Sequence, residues 1–259
     1  MNTIRNVLRG MLVLASVGLL VTNAGAEPTS VTVRVLAKDA KFIGTGMGGA
    51  MVEIRNADTG EVLASGLTQG GTGDTGLIMN SAHGRGQAIG EGAASFAAIL
   101  DIAEPTRIQI SAEGPADMPE SANRVSLSQW LLPGKHLNNG DGVVLEIPGF
   151  ALQTLAPATG ASLPVGSDVR VAVKMVMMCG CPIMPGGLWD ADQIELSAGL
   201  FFEGKPLGDW PLQFAGEASQ FHVQLPAARA GDYQVVVTAY DTVTGNTGLQ
   251  RINYRVGSD

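Results

Sequence analysis

From about residue 30 onward, apolar and polar residues alternate in short runs, the two-residue periodicity of strands with one buried face. Val31, Val33 and Val35 alternate with Thr32 and Arg34. Residues 50–55 and 61–65 flank a turn at Asn56-Ala57-Asp58-Thr59-Gly60 and predict a hairpin. Further strands are predicted at 96–102, 107–112, 129–132 and 143–147, separated by Glu104-Pro105, Gly114-Pro115, Pro133-Gly134 and Asn139-Gly140-Asp141-Gly142. Residues 69–92 read as a long glycine-rich loop. After Pro148-Gly149 a second set is predicted at 168–178, 193–203, 219–225, 232–241 and 249–256, with Ala156-Pro157 and Gly160 punctuating the approach. The expectation is an all-β chain of two β-sandwich domains in tandem, residues 27–149 and 150–259.

Residues 1–26 are set apart from that fold. Arg5 and Arg9 precede an apolar run from Met11 to Val21, and Ala24-Gly25-Ala26 has the form of a cleavage site. The run is short for a membrane span of about 20 residues, so a cleaved signal peptide and a periplasmic or secreted protein are expected. Loss of Arg5 and Arg9, with no acid removed, takes the net charge from −8 to −10. An acidic chain of this kind repels nucleic acid and anionic lipid, and no later apolar run is long enough to span a membrane. The 45% hydrophobic content supplies two cores, and 35 glycines suit many short strands joined by tight turns.

The segments 50–55, Asp58-Thr59-Gly60 and 107–112 closed by Glu113-Gly114-Pro115 together resemble a transthyretin-like or carboxypeptidase-regulatory-like β-sandwich. The resemblance covers about residues 29–148 and implies a non-catalytic accessory module; the 69–92 insertion departs from the short connection expected there. In the second half, Gly231-Asp232-Tyr233-Gln234-Val235-Val236-Val237-Thr238-Ala239 resembles the late-strand corner of bacterial immunoglobulin-like domains, where a tyrosine ties the turn to the backbone.

The chemistry concentrates in Lys174-Met175-Val176-Met177-Met178-Cys179-Gly180-Cys181-Pro182-Ile183-Met184-Pro185-Gly186-Gly187, which holds both cysteines and four of the ten methionines. A strand carrying Val169, Val171, Val173, Met175 and Met177 on one face runs into a loop expected to be exposed. In an extended chain the Cys-x-Cys sulfurs share a face at roughly 6–7 Å, so an i,i+2 disulfide is disfavoured. Cu(I), which prefers thiolate and thioether ligands, asks for less, with Cys179 and Cys181 as the strong ligands and Met177, Met178 or Met184 completing the site. A labile disulfide and inert thiols are the other two readings. Met175, on the apolar face, is assigned to the core.

Other motifs read as structure. Gly44-Thr45-Gly46-Met47-Gly48-Gly49 fits Gly-x-Gly-x-x-Gly but is followed by a strand where a nucleotide site needs a helix. His83, His136 and His222 are scattered, and Asp74, Asp141, Asp190 and Asp192 lack the spacing of a Ca²⁺ loop. The functional expectation is an exported, non-catalytic protein handling a soft metal, copper as Cu(I), or serving a metalloenzyme, with a protein partner. The alternative is a structural or adhesion module acting through protein contacts, the cysteine loop being a local clasp. A thiol-disulfide enzyme is disfavoured, because Cys-x-x-Cys at a helix N-terminus is missing.

Overall fold

The computed structural model describes residues 25–84, 86–166 and 168–257. The export-signal reading rests almost wholly on residues 1–24, outside the described residues.

The chain is all-β and builds β-sandwiches. In the first half the strands are β1 (Glu27–Ala37), β2 (Met51–Asn56), β3 (Val62–Leu67), β4 (Phe96–Ile102), β5 (Thr106–Gly114), β6 (Asn123–Leu131) and β7 (Val143–Ile147). They form two sheets, ordered β4-β1-β7 and β3-β2-β5-β6. The β1 alternation does what its pattern requires: Val31, Val33 and Val35 are fully buried against Val52, Ile54, Ile108 and Ile110 of the facing sheet. β1 pairs antiparallel with β4 and parallel with β7, so its core positions sit in the middle of its sheet.

The second half adds β8 (Phe150–Ala156), β9 (Ser162–Leu163), β10 (Val169–Met177), β11 (Ile194–Phe202), β12 (Lys205–Pro211), β13 (Gln213–Phe214), β14 (Gln220–Leu225), β15 (Gly231–Asp241) and β16 (Thr247–Val256). Their sheets are ordered β13-β14-β10-β8 and β12-β11-β15-β16-β9. Tyr233 closes the anticipated corner: its hydroxyl donates to the Arg229 carbonyl at 3.1 Å and accepts from the Arg229 N–H at 3.3 Å. Its ring stacks on Tyr254, with centroids 5.4 Å apart.

Three sequence expectations need correction. The 69–92 loop contains a short helix, α1 (Thr75–Asn80), whose first turn is capped by Asp74 accepting from the Leu77 N–H at 2.6 Å. It places Ile78 against Phe42 and Ala93 in a small separate core. The approach to β10, read as punctuation, is the strand β8, which pairs antiparallel with β10 and buries Phe150, Ala151 and Leu152. The strand predicted at 129–132 begins at Asn123, preceded by a 3-10 turn at Pro119–Ser121.

Among the described residues no strand of one half pairs with a strand of the other, yet one continuous apolar cluster runs through both. Polar groups stitch the junction. The Ser121 hydroxyl donates to the Leu152 carbonyl at 3.0 Å and accepts its N–H at 2.9 Å. Fully buried Asn246 accepts from Gly149 N–H at 2.8 Å and donates to the Lys38 carbonyl at 3.3 Å. The Lys38 ammonium donates to the Thr244 carbonyl at 2.6 Å, and the Trp189 indole to the Asp39 carbonyl at 2.9 Å. Burying a polar group costs free energy that such pairing offsets.

Candidate functional site: a buried sulfur turn at the junction

The sulfur segment leaves the sheet at Met177 and reverses at once. Gly180 N–H donates to the Met177 carbonyl at 2.7 Å, Met177 N–H donates to the Cys181 carbonyl at 3.1 Å, and Val176 bridges Pro182. Gly180 has φ +81°, a conformation that costs any residue with a β-carbon. This turn, rather than an extended strand, holds the two cysteine Cα atoms 5.5 Å apart, and Cys179 and Cys181 are joined as a disulfide. The returning chain is pinned by Ser219, whose hydroxyl accepts from the Ile183 N–H at 3.1 Å and whose own N–H donates to the Ile183 carbonyl at 2.8 Å.

The loop was expected to be exposed, and it is not. Cys179 is 3% exposed, Cys181 5%, Met177 2% and Met178 0%. The alternation along β10 gives the reason. The Val169–Met177 face lies against the sandwich core throughout. The opposite face exposes Arg170 and Lys174 early in the strand but buries Val176 and Met178 at its end. There Met178 meets Gly149 at the end of the first half.

The methionines separate by position. Met175 is fully buried in the core, as its place on the apolar face predicts. Met177 lies in register with Phe150 of β8. The Met178 methyl packs on Gly149, 2.9 Å from where a β-carbon on that glycine would stand. Met184, half-buried, folds over its own loop and meets Gly187. The residue that packs on Gly180 of the turn is one that sequence reasoning passed over: Met47. Its Cγ and Sδ lie 2.8 and 2.7 Å from the position a Gly180 β-carbon would take.

Met47 reaches this place through the glycine-rich segment that resembles a nucleotide loop. The segment forms a 3-10 turn, Thr45–Met47, with Met47 and Gly49 N–H groups both donating to the Gly44 carbonyl at 3.0 Å. Gly48 and Gly49 then adopt φ +74° and +77°, and the Met47 carbonyl accepts from Asp117 N–H at 3.1 Å. A helix does not follow; β2 does. The one signal that could have found Met47 is a methionine isolated among glycines, which implies a thioether held out by a tight turn.

Four of the remaining polar candidates are engaged with the backbone. The Asp141 carboxylate accepts from Ile89 and Gly90 N–H, and Asp190 accepts from Gly186 and Asp192 N–H. His136 Nδ1 accepts from Ser30 N–H at 3.1 Å, and His83 Nε2 lies 3.1 Å from the Ile78 carbonyl. His222, half-buried on β14, has a buried Nδ1 without a partner. Among the described residues, no group of three or more His, Cys, Asp and Glu side chains could hold a metal ion. The shifted titrations fall outside the sulfur turn. Hydrogen bonds from Arg55 and Arg255 lower the carboxyls of Glu53 and Asp232, and burial pushes the Tyr254 hydroxyl up to about 12. No helix among the described residues is long and apolar enough to cross a membrane.

No family model matches the chain, and no curated protein matches its sequence. Among solved structures it is similar to an engineered protein at 15% identity, over 49% of this chain and 24% of that one, with a TM-score of 0.33. It is also similar to the fibronectin(III)-like modules of Clostridium thermocellum CbhA, at 12% identity over 87% and 89% of the two chains, with a TM-score of 0.26. Titin domains Z1Z2 in complex with telethonin match at 12% identity over 92% and 98%, with a TM-score of 0.26. The architecture described above rests on the strand pairing itself.

Proposed function

We propose that the chain is an exported, non-catalytic β-sandwich protein that works through protein contacts, its sulfur turn acting as a clasp at the joint between the two halves. The observation that carries this reading is the placement of the sulfur. Cys179 and Cys181 are bonded to each other and buried, and Met47 of the opposite half packs on Gly180 between them, so the disulfide fixes the shape of a turn on which the other half rests. The outer surface offers material for contacts. Ile99 and Trp130 are 72% and 60% exposed on β4 and β6, each the edge strand of its sheet. The test is metal analysis and thiol counting on one anaerobically purified sample. Closed disulfide without bound metal is the expected result; stoichiometric copper on intact thiols would overturn the clasp. Photo-crosslinking in cells from position 130 should yield a discrete protein adduct, and none from exposed Ser65 on β3. Export itself is read out by intact mass, with a mature chain starting at Glu27.

A second reading, handling of copper as Cu(I), is favoured by a specific observation: a thioether from a distant part of the chain is seated on the Cys-Gly-Cys turn. It applies to the reduced form of that turn.

A further inference from the structure

We infer that Met47 is the third sulfur ligand of a Cu(I) site that Cys179 and Cys181 form once their disulfide is opened, so that one ion bridges the two halves of the chain. The inference deepens the copper reading and rests on it, but it reassigns the ligands. Of the methionines near the cysteines in sequence, Met177 is turned toward the core, the Met178 methyl is packed on Gly149, and Met184 covers Gly187. Met47 alone among these four methionines arrives from the other half, and it packs on Gly180, the residue between the two cysteines.

Glycine at position 180 serves this arrangement twice. Its φ of +81° turns the chain so that both cysteines flank one point, and its missing side chain leaves the space the Met47 thioether occupies. The surroundings suit a soft ion. Two thiolates and a thioether are the donors Cu(I) selects, and the buried cysteines keep water away from it. Met47 and Gly180 are themselves only half-buried, which supplies a way in.

The chemistry balances with one co-reactant. A dithiol reductant attacks the Cys179–Cys181 bond and supplies two electrons and two protons, leaving as its own disulfide and the turn as two thiols. Cu(I) then displaces both thiol protons to solvent and forms two thiolate bonds and one thioether bond.

The experiment reduces the purified chain anaerobically with dithiothreitol, removes the reductant, and titrates Cu(I) against a chromophoric chelator. X-ray absorption counts the sulfur ligands. Wild type should bind one Cu(I) with three sulfurs in the reduced form and none in the oxidised form. Met47→Leu, close in volume and only half-buried, should keep its two titratable thiols and bind with two sulfurs. Its affinity should fall by at least the roughly tenfold that losing even an outer-shell partner costs. A sulfur count of two on wild type, with affinity unchanged in Met47→Leu, would overturn the role of Met47 and leave the copper reading standing. A reduced wild-type chain that takes up no Cu(I) would end both. The sulfur count is made on wild type, so it does not depend on how well the variant folds.

Discussion

Gly180→Ala tests the sulfur turn most directly, because two costs act there and a second substitution separates them. The first is conformational: a β-carbon at φ +81° costs roughly 1–2 kcal/mol. The second is steric, since the new carbon would stand 2.7 Å from Met47 Sδ and 2.8 Å from Cγ. Met47 must move, and overfilling a packed site costs about 1–3 kcal/mol, toward the low end for an adaptable thioether that is half-exposed. Gly180→Ala should therefore destabilise the oxidised chain by about 2–4 kcal/mol. With Met47→Ala already in place the steric cost disappears, and the same change should cost only about 1–2 kcal/mol. The double variant should thus be about 1 kcal/mol or more better than the sum of the singles. Urea unfolding of the four proteins, followed at constant m-value, measures this cycle. An interaction energy below about 0.5 kcal/mol, the ordinary limit of additivity, would show that Met47 does not rest on Gly180 in solution.

The remaining predictions concern the joint and the buried polar groups. Cys179→Ser with Cys181→Ser buries two hydroxyls at 3% and 5% exposure, so a stability loss of about 1–3 kcal/mol per site is expected in thermal or urea melts, rather than the neutral effect an exposed loop would show. Asn246→Leu leaves Gly149 N–H and the Lys38 carbonyl without their partner at the junction; a loss of about 2–5 kcal/mol is expected, and an unchanged melting temperature would mean the halves are not joined there. Tyr254 is 3% exposed and its hydroxyl has no partner, so Tyr254→Phe should raise stability by about 1 kcal/mol. The same residue sets an alkaline limit. Its folded pKa, pushed up to about 12 from 10 by burial and then by Tyr233, means the unfolded chain releases its proton first. That contribution is whole below pH 10 and lost as pH rises from 10 through 12, and a pH series of melts should show it flattened in the Phe variant.

Much of the architecture was legible from local pattern. The Val31-Val33-Val35 and Val169–Met175 faces declared their buried sides because a strand exposes alternate residues to opposite environments, so period two survives in the sequence. Tyr233 was legible as a corner because the turn it closes lies four residues upstream. Where both faces are covered the period vanishes, and β8 was lost for that reason: Phe150-Ala151-Leu152 is a short apolar run between Pro148-Gly149 and Ala156-Pro157 that reads as a connector. β12 was missed because Pro206, Gly208 and Pro211 are poor ladder residues, tolerated here on an edge strand.

The sulfur site divides in the same way. By itself the sequence determined that strand β10 ends in a glycine-centred turn carrying two cysteines, because backbone preference and residue order are local properties. Whether that turn is open to solvent, whether its sulfurs are joined, and which methionine attends them were decided by tertiary structure. At the end of β10 the other half of the chain supplies Gly149 against Met178 and Met47 against Gly180, and Met47 is delivered from a 3-10 turn more than a hundred residues earlier. Contacts between segments so far apart leave no periodicity or spacing in a single sequence, since they depend on how two sandwiches pack and not on how either strand is written.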